Sequence, residues 1–174
     1  MWSCKALALG LCAVLVAGCG FQPLYGDVRK SEGATELATI RIEPIAERIG
    51  QQLHNHLLDL LTPRGRPAHA RYVLNIVVNG STKGLAVAKS KLATRSSYRL
   101  VADYSLFEGD NKKLIFKGSR NVVSSYNVLT SNFGTLMAEK DAKARAVEEI
   151  GQIIRTQLAV FFVQRRADQV KGQP

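Results

Sequence analysis

Leu37-Ala38-Thr39-Ile40-Arg41-Ile42-Glu43-Pro44-Ile45 is the stretch that decides the fold. Ala38, Ile40 and Ile42 alternate with Thr39, Arg41 and Glu43, the two-residue period of a half-buried strand. Pro44 ends that strand and is suited to the first turn of a following helix, where its missing N–H costs nothing. Beyond it Ile45, Ile49, Leu53, Leu57 and Leu60 recur at three- and four-residue steps, with Leu58 and Leu61 widening the apolar stripe. Thr62-Pro63-Arg64-Gly65-Arg66-Pro67 stops the helix. A strand running into a helix with a second strand to follow implies a parallel pair.

The second strand is Tyr72 to Asn79, with Tyr72, Leu74, Ile76 and Val78 toward the core. Its other face, with Val73 and Val77 among asparagines, has enough apolar character to be partly covered. Gly80 to Ala93 reads as a loop or a ragged strand extension. Asn79-Gly80-Ser81 matches a glycosylation sequon but reads better as a turn. A third strand over about 97–107 sets Tyr98, Leu100, Ala102, Tyr104 and Leu106 together. Glu108-Gly109-Asp110-Asn111-Lys112 supplies a hairpin turn, and a fourth strand runs over about 113–126. The longest periodic segment, 135–166, traces one helical face through Met137, Ala142, Ala146, Val147, Ile150, Ile153, Ile154, Leu158, Phe161 and Phe162. Arg165 and Arg166 fall in its expected last turn, where cations complement the helix dipole. The expected fold is α+β, a two-layer sandwich: a four-stranded mixed sheet with two helices on one face, in the order β-α-β-β-β-α.

The chain ahead of this domain has a different composition. Lys5 is the one charge among residues 1–18, and an apolar run from Ala6 to Ala17 follows it. A positive start, a core of about 7–15 apolar residues and a small-residue cleavage site make a secretory signal. Leu15-Val16-Ala17-Gly18-Cys19 further resembles a bacterial lipobox, in which the cysteine is acylated and begins the mature chain. An ordinary cleaved signal and a short membrane anchor are the alternatives. A spanning helix needs about 20 apolar residues, and Pro23 leaves no room for one. The expected organisation is therefore a signal peptide (1–18), a lipidated N-terminus and tether (19–36), one α+β domain (37–167) and a flexible tail (168–174). Phe21, Leu24 and Tyr25 are too apolar for a plain linker and are expected to dock on the domain or on a partner.

The chain carries a formal net charge of +10. An exported, lipid-anchored domain does not ordinarily meet nucleic acid, so the excess points to anionic lipid, phosphorylated sugar or acidic protein. Between Asp59 and Asp103 there is no acidic residue, while Arg64, Arg66, Arg71, Lys83, Lys89, Lys91, Arg95 and Arg99 all fall there. That one-signed run reads as an anion-binding surface, against the alternative of a solvated basic face.

Catalytic signatures are missing from the sequence. Cys4 and Cys12 lie in the signal and Cys19 is assigned to lipid, so no thiol remains for a disulfide, a zinc site or a nucleophile. His54 and His56 point to different sides of their helix, His69 has no partner in sequence, and all three read as satisfied surface histidines. No nucleophile elbow, zinc-protease helix or phosphate-cradling loop occurs. A non-enzyme without metal or cofactor is the expectation, apart from the covalent lipid on Cys19.

Cys19-Gly20-Phe21-Gln22-Pro23-Leu24-Tyr25-Gly26 resembles the start of the mature LPS-assembly lipoproteins of the LptE family. The Tyr98–Leu106 strand, the polar hairpin and the helix near Met137-Ala138-Glu139-Lys140-Asp141 are also similar to that family. The resemblance implies a non-catalytic subunit that plugs the outer-membrane LPS-assembly barrel LptD as a heterodimer. There it would assist barrel assembly and the insertion of lipopolysaccharide into the outer leaflet. It also implies lipopolysaccharide binding through basic residues, matched by position to Lys91 and Lys140. The basic window adds Lys83, Lys89, Arg95 and Arg99 to the candidate surface. A periplasmic lipid-binding carrier or chaperone-like lipoprotein is the competing reading, and an exported hydrolase with a dispersed site a weaker third.

Overall fold

A computed structural model describes residues 36–84, 94–109 and 113–171. The elements are β1 (Ile40–Ile42), α1 (Glu47–Leu61), β2 (Tyr72–Gly84), β3 (Thr94–Glu108), β4 (Lys113–Val128) and α2 (Asn132–Lys171). The sheet order is β1-β2-β3-β4, with β1 parallel to β2 and the other neighbours antiparallel. The expected α+β architecture and the order β-α-β-β-β-α are therefore found. The parallel pair requires a crossover, and α1 supplies it.

The opening strand is shorter than its alternation suggested. Thr39 donates from its N–H and from its hydroxyl to the Glu36 carbonyl, at 3.0 and 2.7 Å. This local turn competes with the ladder, buries Leu37 and leaves Ala38 exposed. Pro44 does not open α1. Ala46 is extended, and the helix begins at Glu47, whose φ of 65° lies in the left-handed region. The Glu43 N–H meanwhile extends the parallel pairing to the Leu74 carbonyl at 3.0 Å. In α1 the innermost line is Leu53, Leu57 and Leu61, and Leu60 is half-buried.

Along β2 the core-facing set holds at Tyr72, Leu74 and Ile76. The opposite face is open, and Val77 is 68% exposed. Asn79-Gly80-Ser81 is not a turn: it lies inside β2, where Gly80 passes beneath the Tyr98 ring. The Glu108–Lys113 pairing closes the expected hairpin, with Gly109 at φ 60°. A bulge between Leu106 and Phe107 carries Phe116 to the helix side and leaves Leu114 half-exposed.

α2 is longer at both ends than its periodicity suggested, and Met137, expected in the core, is 39% exposed. Ala142, Ala146, Val147, Ile150, Ile154, Leu158 and Phe162 form its buried line. The small residues let α2 lie close to the sheet, and Gly151 receives the ring edge of His56 from α1. Arg165 and Arg166 do not sit in the last turn. Arg165 bonds Glu108 at 2.6 Å, Arg166 reaches Glu36 at 3.5 Å, and Arg71 lies between the same two carboxylates at 3.7 and 3.9 Å. This network ties the entry of the domain, the β3–β4 hairpin and α2 together at one end of the sheet. Lys143, for which Glu148 is wrongly spaced, pairs instead with Glu139 at 2.7 Å.

Candidate functional site: the uncovered face of the sheet

In β3 the even-numbered side chains Tyr98, Leu100, Ala102, Tyr104 and Leu106 are buried beneath the helices. The odd-numbered ones stand on the other face. There Arg95 and Arg99 flank Ser97 at two residues on either side, Lys83 of β2 lies directly opposite Ser97, and Ser125 of β4 faces it from the other strand. Directly opposed side chains are about 4.5–5.5 Å apart at Cβ, and residues two apart on a strand are about 7 Å apart. Three cations thus surround two hydroxyls on a pleated patch about one head group wide.

Ser97 is buried among its neighbours while Lys83, Arg95 and Arg99 are exposed. None of the three cations has an ion-pair partner among the described residues. Along β3 the next acid on this face is Asp103, four residues beyond Arg99, or roughly 13 Å at strand rise. Ser81 opposite Arg99 and Asn127 opposite Arg95 add donors without charge. Such a patch can hold an oxyanion by charge-assisted hydrogen bonds.

Lys140 is not part of this patch. It lies on α2, on the helix side of the sheet, and lines a cavity of about 550 Å³ with residues of α1, β2 and β3. The cavity floor includes Gly80, Thr82 and Tyr98, and burial holds the Tyr98 hydroxyl above the usual tyrosine pKa, partly opposed by Lys143. The Lys143 ammonium stands over the Tyr98 ring at 5.5 Å. Lys143 and Arg48, which also line this cavity, were not singled out from sequence, because neither falls in the acid-free window.

Lys89 and Lys91, the lipidation candidate Cys19, and Phe21, Leu24 and Tyr25 lie outside the described residues. Of the three expected surface histidines, His69 is exposed, whereas His54 and His56 are half-buried, and their Nδ1 and Nε2 respectively are enclosed without a hydrogen-bond partner among the described residues. Among the described residues no group of three or more His, Cys, Asp or Glu side chains could hold a metal ion. No helix among them is long and apolar enough to cross a membrane.

The fold is one shared with bacterial lipoproteins of solved structure. A protein described as a lipoprotein from Caulobacter crescentus matches with a TM-score of 0.63 at 23% identity, over 75% of this chain and 96% of that one. A minor lipoprotein of Acinetobacter baumannii gives 0.57 at 20% identity, over 70% and 90%. Rare lipoprotein B of Shewanella oneidensis gives 0.57 at 8% identity, over 73% and 98%. No curated protein matches the chain. The family model LptE, described as lipopolysaccharide-assembly, matches residues 37–158, and the chain belongs to that family. The match covers the folded domain rather than the Cys19–Gly26 octet. The chain is thereby a lipopolysaccharide-assembly lipoprotein of a non-catalytic family, with its place in the cell envelope.

Proposed function

We propose that this chain is the lipid-anchored partner of an outer-membrane LPS-assembly barrel of the LptD kind. In this reading it seats in the barrel lumen as one half of a heterodimer and assists delivery of lipopolysaccharide to the outer leaflet. Cys19, lipidated after removal of residues 1–18, would hold it at the outer membrane. The observation that carries the reading is the open sheet face, where Lys83, Arg95 and Arg99 stand around Ser97 and Ser125 with no ion-pair partner among the described residues. Lipid A phosphates are compact anions, and each charge-assisted hydrogen bond to them is worth about 1.5–3 kcal/mol. The same face carries Asn75, Asn79, Ser105, Ser119 and Asn121, which suit a polar barrel lumen, beside the exposed Val77 and Val123.

The test is charge reversal of the patch. The Lys83→Glu, Arg95→Glu, Arg99→Glu triple variant is expected to bind purified lipopolysaccharide at least about tenfold more weakly. Its circular dichroism should match wild type, because all three side chains are exposed. Affinity purification of the wild-type chain from outer membranes should recover one barrel protein in equal amount. Undiminished lipopolysaccharide binding by the triple variant, or purification without a barrel, would sink the reading.

A further inference from the structure

We propose that the cavity between α1, the sheet and the first turns of α2 takes a single acyl chain of an anionic amphiphile. Phe133, Leu136 and Met137 occupy one face of α2 at i, i+3 and i+4, yet they are exposed by 71, 58 and 39%. Large apolar side chains in a contiguous exposed strip mark a binding surface rather than a core. Leu136 and Met137 line the cavity together with Ile49 of α1 and Tyr98 of β3. Its volume of about 550 Å³ falls within the roughly 300–1,000 Å³ of small-molecule sites.

The strip is held in place rather than frayed. The Ser131 hydroxyl accepts the Gly134 N–H at 3.3 Å, and the Thr135 hydroxyl accepts the Leu129 N–H at 2.9 Å and donates to the Leu129 carbonyl at 3.1 Å. At the mouth on α1, Glu47 keeps a left-handed backbone that an ordinary residue avoids, a strain that clusters at binding sites. The head group is set by charge. Lys140 lies one turn beyond Leu136 on the same face, Arg48 lies across from it on α1, and neither is engaged in an ion pair among the described residues. Glu139 is neutralised by Lys143, which leaves Arg48 and Lys140 against the single carboxylate of Glu47. An apolar wall ending in unpaired cations is complementary to a hydrocarbon chain ending in an anion. Met137, unbranched and adaptable, suits a flexible chain.

The inference rests on the reading of this chain as a binder of anionic lipid, and it adds a second site on the opposite layer of the sandwich. The probe is 11-(dansylamino)undecanoate at monomer concentration, titrated into the full-length chain and followed by dansyl fluorescence. Saturable binding is expected, weakened at least tenfold by Leu136→Glu with Met137→Glu, both at exposed positions. Lys140→Gln is expected to weaken the carboxylate probe threefold or more and to leave its uncharged alcohol analogue unaffected. The Lys83→Glu, Arg95→Glu, Arg99→Glu variant should bind the probe as wild type does, so failure of the phosphate patch and failure of the cavity are separate results. Displacement by lipopolysaccharide would identify the chain as one of its acyl groups, and displacement by lysophosphatidylglycerol alone a monoacyl lipid. No saturable binding, or binding indifferent to the Leu136 and Met137 changes, overturns the proposal. A cavity that accepts a partner's side chains instead would give that result.

Discussion

At Gly118 a β-carbon would stand 2.5 Å from the Tyr104 ring. That ring is fully buried and touches Phe116 at 6.0 Å between centroids, so it has nowhere to retreat. Gly118→Ala is expected to destabilise the domain by about 1–3 kcal/mol, the usual cost of overpacking. Gly84, at the end of β2, has open space where the same methyl would go. Urea unfolding of the two alanine variants should therefore separate them clearly. The glycine that matters is chosen by a tyrosine directly across the β3–β4 ladder. Its position within a polar stretch of sequence carried no sign of this.

Among the elements, α2 depends on its first turn. Ser131 precedes the helix, and its hydroxyl accepts the Gly134 N–H, one of the donors that a helix start leaves unpaired. Ser131→Ala is expected to cost about 1 kcal/mol and to shift the denaturation midpoint without changing its slope. Native-state hydrogen exchange should locate the loosening in the first turns of α2, where Leu136 and Met137 line the cavity. A variant that unfolds as wild type does, with unaltered exchange in those turns, would show that the cap is dispensable. Toward its far end the helix is held by Arg165 and Arg166, tied to Glu108 and Glu36.

At the scale of the whole domain, Tyr72, Tyr98 and Tyr104 are among the tyrosines buried under the helices. Burial is the leading cause that raises the pKa of each above the ordinary 10.0. The folded state then keeps these protons at a pH where the unfolded chain has released them. Their contribution to stability is complete below about pH 10 and is lost as pH rises through the folded values. In that window each tyrosine lowers stability by up to about 1.4 kcal/mol per pH unit. Urea midpoints measured from pH 8 to 11.5 should hold level and then fall. Absorbance at 295 nm should show tyrosine ionisation accompanying unfolding. Early ionisation without loss of fold would contradict the burial.

The order of elements was legible in sequence because it rests on local periods: two for Tyr98–Leu106, and three to four for Leu53–Leu61 and Ala142–Phe162. The helix face of the sheet was readable for the same reason. The parity that puts Arg95 and Arg99 opposite Tyr98 was also present, but the partner of Ser97 was not. Pairing Lys83 with Ser97 depends on the register across a long connection, which no local period encodes. The start of β1 was misplaced because Thr39 closes a turn on Glu36, a hydrogen-bond choice that alternation does not report. The charges behaved likewise. Composition alone established a basic, acid-free window. Tertiary structure decided that Lys83, Arg95 and Arg99 stand together with no ion-pair partner among the described residues, that Arg71 is drawn into a network with Glu36 and Glu108, and that Lys140 stands on the other layer beside a cavity. Charge and hydrophobicity are properties of residues and survive in any fold, whereas proximity between residues distant in sequence exists only once the sheet register and the helix crossing are set.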